Sequence, residues 1–168
     1  RVNPVADPFK ATTLVMTDGD GHESTYIKEQ ESTLFYGPKD ARGRGYFHYH
    51  QTLKVWVYYH TETQLVETYD TNTGLRMSIA DRMGRTTTFH YYANQVLDSV
   101  LGASGICYQM RRSPNATGST LEIIEVNGNQ ESTLQIHQFD QFGRLFTTQT
   151  AKTGYTITYN YLDNTGRV

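Results

Sequence analysis

The sequence predicts an all-β protein made of consecutive antiparallel β-hairpins. The composition favours strands, because 13 Tyr and 7 Phe stand against only 4 Pro and 4 Met and aromatic residues are enriched in strands. Short runs alternate apolar and polar residues, and no stretch of ten residues keeps a helical period. Between the runs, an Asp recurs three residues before a Gly. Such repetition indicates one structural unit that is used many times.

Strands are predicted wherever an alternating run lies between turn residues. The clearest is residues 155–161, whose odd-numbered side chains should face inward. Residues 37–45 and 111–118 are predicted as longer loops, because they are rich in turn-forming and charged residues. The other predicted strands are residues 26–28, 34–36, 53–60, 65–68, 76–79, 87–91, 96–101, 106–110, 121–126, 134–138 and 145–148.

The Asp and Gly residues between the strands are predicted to hold turns, and no catalytic role is expected for them. An Asp at the first position caps a turn amide with its side chain. The Gly takes the left-handed conformation that follows a type I turn in a bulged hairpin. The pairs are Asp18 with Gly21, Asp81 with Gly84, Asp140 with Gly143, Asp163 with Gly166, and the one-residue-longer Asp70 with Gly74.

An Arg follows the Gly in three of these turns, at Arg85, Arg144 and Arg167. Its guanidinium can pair with the Asp carboxylate across the turn and lie over an aromatic ring of the incoming strand. We therefore expect each repeat unit to be stabilised by its own Asp–Arg pair and aromatic ring, a combination that we call a fastener. The rings placed just before an Asp are Tyr69, Phe139, Tyr159 and Tyr161.

This pattern resembles the tyrosine-aspartate (YD) repeats of the RHS family, which includes bacterial polymorphic toxins, the B and C components of insecticidal toxin complexes, and the teneurins. The repeats are clearest at residues 64–92 and 132–168 and divergent at residues 1–63. We expect residues 1–168 to form a single repeat domain from a longer protein. The matching residues are Tyr69-Asp70 with Gly74, Asp81 with Gly84-Arg85, Phe139-Asp140 with Gly143-Arg144, and Tyr161 and Asp163 with Gly166-Arg167.

The resemblance implies a ribbon of hairpins that spirals into a hollow shell and, in toxin members, encloses a cytotoxic C-terminal domain. The partners would be the rest of the parent protein and its enclosed effector, and the parent would be secreted or placed at a cell surface. The family's shell-closing Asp-Pro motif is not matched, because Asp7-Pro8 lies near the start and lacks the glycine that should follow. We expect a structural wall segment with no catalytic activity and no cofactor.

An alternative interpretation places the function on exposed aromatic side chains. His48, His50, Trp56 and Tyr58 could share an outward face, and exposed aromatic rings on a sheet can hold sugar rings. The chain would then be a cell-surface or secreted module that recognises carbohydrate or protein. The two histidines could also help to chelate a metal, although a third ligand would have to come from elsewhere in the fold.

Charge and hydropathy narrow the range of partners. With 15 basic and 17 acidic residues, the chain has no excess positive charge to attract nucleic acid. No apolar run is long enough to span a membrane.

Strand edges left unpaired at the ends of a ribbon invite pairing with another chain. We therefore expect self-association through sheet edges, or an edge covered by the N-terminal segment.

Overall fold

The structure is a computed structural model that describes residues 1–30, 34–39 and 44–161. Within these ranges the chain contains strands, turns and bends but no helix, which confirms the predicted all-β class. The strands are β1 (Thr13–Thr17), β2 (Glu23–Lys28), β3 (Phe35–Pro38), β4 (Gly45–His50), β5 (Val55–His60), β6 (Val66–Asp70), β7 (Arg76–Ala80), β8 (Thr86–Tyr91), β9 (Leu97–Leu101), β10 (Cys107–Asn115), β11 (Gly118–Asn127), β12 (Gln130–Asp140), β13 (Leu145–Thr150) and β14 (Thr156–Thr158).

The chain divides into two compact units. The first unit contains residues 1–89 with 93–95, and the second contains residues 90–92 with those from 96 onward. In the first unit, strands β1 to β8 pair antiparallel in chain order. In the second, β9 to β14 pair in the same way. Each unit is therefore a series of consecutive hairpins, as the turn spacing predicts.

The first unit buries one face of its sheet in a set of side chains that we call the aromatic core. The hydroxyl groups of Tyr26 in β2 and Tyr58 in β5 lie 2.9 Å apart. Three strand spacings separate β2 from β5, which is about 14 Å in a flat sheet, so the two tyrosine side chains lean toward each other across β3 and β4, as a curved sheet favours. The aromatic core consists of Val2, Leu14, Tyr26, Tyr36, Phe47, Tyr49, Trp56, Tyr58 and Tyr69.

The N-terminal segment, residues 1–12, covers part of the first unit. Val2 is fully buried, bridges to β1, and donates its amide to the carbonyl of Gly74 at 2.9 Å. Further along the segment, the carbonyl of Ala11 accepts a hydrogen bond of 2.8 Å from the Tyr36 hydroxyl. The segment thus lies along the outer edge of β1 and against the aromatic core. Covering of an edge by the N-terminal segment was one of the two outcomes expected from the sequence.

The second unit has few buried side chains. Ile124 is the one buried hydrophobic residue among its described residues. Its described strands pair in one series from β9 to β14, and most of their side chains are exposed or only partly buried. Large apolar side chains of this unit are exposed: Tyr92, Val96, Leu101, Phe142, Phe146, Tyr155 and Ile157.

Two predictions about the second unit are wrong. Residues 111–118 are not a loop, because β10 and β11 stay paired as far as Asn115 and Gly118 and form one long hairpin. Strand pairing depends on backbone hydrogen bonds, so it can extend through polar side chains that lack an alternating pattern. Residues 155–161 form only the three-residue β14, and the predicted inward-facing Tyr155 and Ile157 are exposed.

Candidate functional site

The turn from Asp81 to Arg85 has the geometry that the sequence predicts. The Gly84 amide donates to the Asp81 carbonyl at 2.9 Å, and the Asp81 amide donates to the Arg85 carbonyl at 3.1 Å. Gly84 has a φ of 76°, in the left-handed region that favours glycine. The Asp81 Oδ1 atom accepts the amides of Met83 (2.8 Å) and Arg85 (3.0 Å). The Asp is therefore a turn cap, as expected.

The turn from Asp140 to Arg144 in the second unit repeats this arrangement. The Gly143 amide donates to the Asp140 carbonyl, and the Asp140 amide donates to the Arg144 carbonyl, both at 2.9 Å. Gly143 has a φ of 77°. Asp140 Oδ1 accepts the amides of Phe142 (2.9 Å) and Arg144 (3.0 Å). The turns Asp81–Arg85 and Asp140–Arg144 therefore have the same four hydrogen bonds.

The two remaining predicted turns within the described residues differ in detail. Asp18 to His22 has the same backbone bonds, with Gly21 at a φ of 82°, but His22 replaces the Arg. The wider turn that begins at Asp70 closes with a bond of 2.9 Å from the Gly74 amide to the Asp70 carbonyl, and Gly74 has a φ of 66°. Asp70 Oδ1 also accepts two backbone amides of this turn. All four glycines thus occupy left-handed positions.

Some turns of the structure were not predicted from the sequence. Gly102 and Gly105 close a turn with the same backbone bonds as the Asp-initiated ones, and Gly105 has a φ of 85°. Its Gly-x-x-Gly spacing could have revealed it. Lys54, Gln64 and Gln95 occupy left-handed positions with φ values of 54°, 56° and 65°. Lys and Gln carry no turn signal in a sequence, so the sequence offered no indication of these positions.

The turns Asp81–Arg85 and Asp140–Arg144, which we call the fastened turns, have Arg and Asp side chains that pair as predicted. Arg85 reaches Asp81 Oδ2 through Nε at 2.7 Å and Nη2 at 2.6 Å. Arg144 reaches Asp140 Oδ2 at 2.7 Å through both nitrogens. The Arg85 side chain is the largest cause that lowers the pKa of Asp81. Desolvation raises the pKa of Asp140, but hydrogen bonds from the backbone and side chain of Arg144 outweigh it and the pKa is lowered. Both carboxylates are thus stabilised in the charged form.

The aromatic rings measured near the Arg144 guanidinium lie in the turn itself and beyond β14. Arg144 lies 4.7 Å from the ring centre of Tyr161 and 5.0 Å from that of Phe142. Phe139 does precede Asp140, but the guanidinium over its ring is that of Arg112, at 5.5 Å. The fasteners therefore join neighbouring hairpins as well as closing single turns. Three predicted turn residues lie outside the described residues: Asp163, Gly166 and Arg167.

The prediction that His48, His50, Trp56 and Tyr58 share an exposed face is wrong. Trp56 and Tyr58 lie opposite aromatic residues of β4, whereas His48 and His50 lie opposite valines of β5, on the other sheet face. Trp56 is 0% exposed and Tyr58 is 3% exposed, because both belong to the aromatic core. Burial, with a smaller effect of neighbouring His50, lowers the pKa of His48. These four residues therefore do not form one exposed aromatic face.

A buried carboxylate network in the first unit was not anticipated. Glu67 is 5% exposed and accepts hydrogen bonds from the Tyr69 hydroxyl and His60 Nε2, the latter at 2.8 Å. Arg76 Nη1 lies 3.5 Å from its Oε2 atom. Desolvation raises the pKa of Glu67, but these hydrogen bonds and the charge of Arg76 outweigh it and the pKa is lowered. Burial, followed by the charge of Glu67, raises the pKa of Tyr69.

This network also places Tyr69, which was predicted as a ring for an Arg fastener. Tyr69 is 1% exposed and belongs to the aromatic core, with its hydroxyl on Glu67. Glu67 lies two residues before Tyr69 in β6, so the two share a sheet face. The two-residue spacing of Glu67 and Tyr69 is the sequence feature from which their contact could have been predicted. Because buried carboxylates need partners, the network serves to satisfy Glu67 inside the fold.

Two surface pockets lie within the individual units. One, of about 380 Å³, lies beside the paired hydroxyl groups of Tyr26 and Tyr58 in the first unit. The other, of about 480 Å³, lies in the second unit between the tip of the β10–β11 hairpin and Phe146 of β13. We call the latter the hairpin groove. In the described part of the chain, no three His, Cys, Asp or Glu side chains are grouped to hold a metal ion.

Comparison with known proteins and the search for a membrane span complete the description of the molecule. The chain matches no model of a known protein family, and no curated protein sequence matches it significantly. Across residues 1–30, 34–39 and 44–161, the structure contains no helix of the length and apolarity needed to cross a membrane.

Proposed function

We propose that this chain is a structural wall segment of a YD-repeat protein and that it encloses or shields an associated effector polypeptide. The observation that carries this proposal is the recurrence of one fastened turn in both units. Asp81 to Arg85 and Asp140 to Arg144 share their backbone bonds, their capped amides and their Asp–Arg pair. A single catalytic or binding site would not require the same turn in two separate units.

A turn that is stabilised by its own residues suits a protein that grows by repetition. The cap and the ion pair of each turn lie within a five-residue segment, so the turn can form whatever follows it in the chain. Hairpins paired with the next in chain order can then be added without a long crossover. This is the local chemistry that an extended wall needs.

The second unit supplies the surface on which a wall would hold another polypeptide. Its described residues bury one hydrophobic side chain and leave several large ones exposed, including Phe146, Tyr155 and Ile157. Exposed apolar side chains on a sheet are typical of a surface that meets another protein. We therefore assign the contact with the effector to the second unit.

The first unit contributes differently. Four of its tyrosines, Tyr26, Tyr36, Tyr58 and Tyr69, are buried in the aromatic core. The interior of this unit is thus filled by its own side chains, including Val2 of the N-terminal segment. On this proposal the mechanism of the wall is steric: the effector is kept from folding or acting while the sheet covers it. The parent protein would be secreted or displayed at a cell surface.

The reading frame that contains this chain provides the test. We expect it to encode further Asp-x-x-Gly-Arg repeats and, after them, a domain of unrelated composition. The intact parent protein and the isolated downstream domain would be digested side by side with a dilute protease, and the decay of the downstream domain measured by mass spectrometry. Shielding predicts at least about tenfold slower cleavage in the parent, since a polypeptide is cut only in its open, accessible state.

A matched control separates shielding from simple tethering. The same downstream domain would be fused through a flexible linker to an unrelated β-protein, which attaches it without covering it. Equal cleavage rates in the parent and in this fusion would contradict the proposed wall. A reading frame without further repeats would contradict it as well.

A further inference from the structure

We propose that the first unit contains a binding pocket for a primary ammonium group carried on a short apolar stem. The pocket, of about 380 Å³, lies beside the paired hydroxyl groups of Tyr26 and Tyr58, and we call it the tyrosine pocket. Its volume falls in the usual range for small-molecule sites, about 300–1,000 Å³. This inference does not depend on the wall proposal, because the effector contact is assigned to the second unit.

The tyrosine pocket lies at one end of the sheet of the first unit. Strands β1 to β5 pair antiparallel in chain order. The end of β1, the starts of β2 and β4, and the end of β5 therefore lie at the same end of the sheet. Each of these places contributes a lining residue: Met16 of β1, Ser24 of β2, Arg44 just before β4 and His60 of β5.

The apolar part of the pocket is held in place by Gly45. A side chain there would come within 2.8 Å of the Tyr58 ring and hydroxyl group, so the absence of a side chain gives this ring its place. Tyr26 and Tyr58 are 2% and 3% exposed, and both line the pocket together with Met16. These side chains offer apolar surface to a carbon stem.

His60 lines the tyrosine pocket and keeps one hydrogen-bond acceptor for a ligand. Its Nε2 atom lies 2.8 Å from Oε1 of the buried Glu67. A carboxylate only accepts hydrogen bonds, so Nε2 carries the proton, and in a neutral imidazole the other nitrogen is then an acceptor. In the part of the chain that the structure describes, His60 Nδ1 has no hydrogen-bond partner. A ligand that donates a hydrogen bond would supply one.

The charges around the pocket favour a cation. Among the described residues that line it, two carboxylates and one guanidinium are charged, and with a neutral His60 they sum to one negative charge. Arg44 Nη1 lies 3.6 Å from Glu62 Oε2, and both side chains are exposed, so this pair is weak. Asp18 Oδ1 accepts two turn amides at 2.9 Å, and Asp18 forms no ion pair within the described ranges.

A primary ammonium group fits these atoms better than other cations. It has three N–H donors and no acceptor, and the pocket offers the acceptors His60 Nδ1, the Asp18 carboxylate and the hydroxyl groups of Ser24 and Thr63. A quaternary ammonium group has the same charge but no N–H donor, so it would leave these acceptors without partners. Lysine side chains of proteins and free small amines both carry the required group.

The test is a titration of the whole chain followed by backbone amide NMR signals at physiological salt. Butylamine represents a free amine, and N-acetyl-lysine methylamide represents a lysine side chain. Butanol lacks the charge, and butyltrimethylammonium lacks the N–H donors. We expect the amides of Ser24 and His60 to shift with at least one primary amine, which should bind about fivefold or more tighter than butanol and butyltrimethylammonium. Tighter binding of the lysine derivative indicates a protein partner, and tighter binding of butylamine indicates a free amine.

A double variant, Asp18→Asn with Glu62→Gln, tests the charges. Asn can still cap the turn with its side-chain oxygen, so the change removes charge and keeps the turn. We expect the double variant to bind the amine about fivefold or more weakly. Asp20→Asn is the matched control, because Asp20 is exposed in the same turn but does not line the pocket. It should bind within about twofold of wild type.

Amide spectra and the fluorescence of the buried Trp56 would establish that each variant is folded. The inference is overturned if neither primary amine shifts the amides of Ser24 and His60 at about 20 mM, a concentration that detects millimolar binding. It is also overturned if butanol or butyltrimethylammonium binds as tightly as the amines. Equal affinity of the folded double variant and the Asp20→Asn control would overturn it as well.

Discussion

Gly84 offers a clean test of the turn chemistry on which the fold depends. Its φ of 76° lies in the left-handed region, and a side chain added there would meet no other atom within 4 Å. Any loss of stability on substitution must therefore come from the backbone conformation and not from a steric clash. We predict that Gly84→Val destabilises the first unit and that Gly84→Asn is tolerated better.

The expected magnitude follows from the cost of a left-handed residue. An ordinary L-residue in this region costs about 1–2 kcal/mol relative to glycine, and a β-branched side chain costs more. A small part is offset, because replacing glycine restricts the unfolded chain by about 0.4–1 kcal/mol. We therefore expect a loss of about 1–3 kcal/mol for Val and less for Asn, which visits this region more readily.

Trp56 makes the measurement specific to the unit concerned. It is the single Trp of the chain and is fully buried in the aromatic core of the first unit. Urea titration followed by its fluorescence should show a midpoint lower by about 0.5–2 M for Gly84→Val, given a typical slope of about 1–3 kcal/mol per M.

Gly19 is the matched control for this experiment. It also lies in a turn of the first unit and has open space around it, but it does not have a left-handed φ. Gly19→Val should change stability by no more than about 0.5 kcal/mol. Equal midpoints for Gly84→Val and Gly84→Asn, or equal losses at positions 19 and 84, would refute the reasoning.

Three further predictions concern contacts that the structure reveals. A side chain at Gly74 would collide with the carbonyl of Val2, so Gly74→Ala should displace the N-terminal segment and cost about 2 kcal/mol or more in urea titration. Glu67→Gln should destabilise the first unit at pH 7. The pKa of Glu67 is lower in the folded protein than in the unfolded chain, where it is about 4.3. The charged Glu67 therefore stabilises the fold fully above the unfolded pKa, and this stabilisation is lost as the pH falls through the folded pKa. The difference in stability between wild type and Glu67→Gln should therefore shrink in acid. In a double-mutant cycle, Asp140→Ala and Arg144→Ala should show favourable coupling that weakens at high salt.

Each of these has a result that would contradict it. For Gly74→Ala the comparison is Gly84→Ala, where the added side chain meets nothing, and equal losses would rule out the collision with Val2. A stability difference between wild type and Glu67→Gln that stays constant from pH 7 to pH 3 would show that the Glu67 charge does not contribute. Additive effects at Asp140 and Arg144, at every salt concentration, would mean that their ion pair does not stabilise the turn.

The turns could be predicted from the sequence because their chemistry is local. Asp81, Gly84 and Arg85 lie within five residues, and each has a side chain or backbone preference that suits one position of a bulged hairpin. The same holds for Asp140 to Arg144. Gln64 and Gln95 also occupy left-handed positions. Glutamine has no preference for this conformation, so these two turns could not be predicted from the sequence.

Burial was harder to predict than strand position. The alternation in β5 correctly separates Trp56 and Tyr58 from Val55 and Val57, but both sets are buried in the structure. The pattern within one strand does not say which face the rest of the chain covers. Trp56 and Tyr58 are buried in the aromatic core together with Val2, Leu14 and Tyr69, and such contacts join residues far apart in sequence.

If the second unit forms a wall against another polypeptide, an electron cryo-microscopy map of the intact parent protein should show what lies against it. We expect ordered polypeptide density, from a segment other than the repeats, against the side chains of Phe146, Tyr155 and Ile157. Solvent over this face of the second unit in a well-resolved map would contradict it.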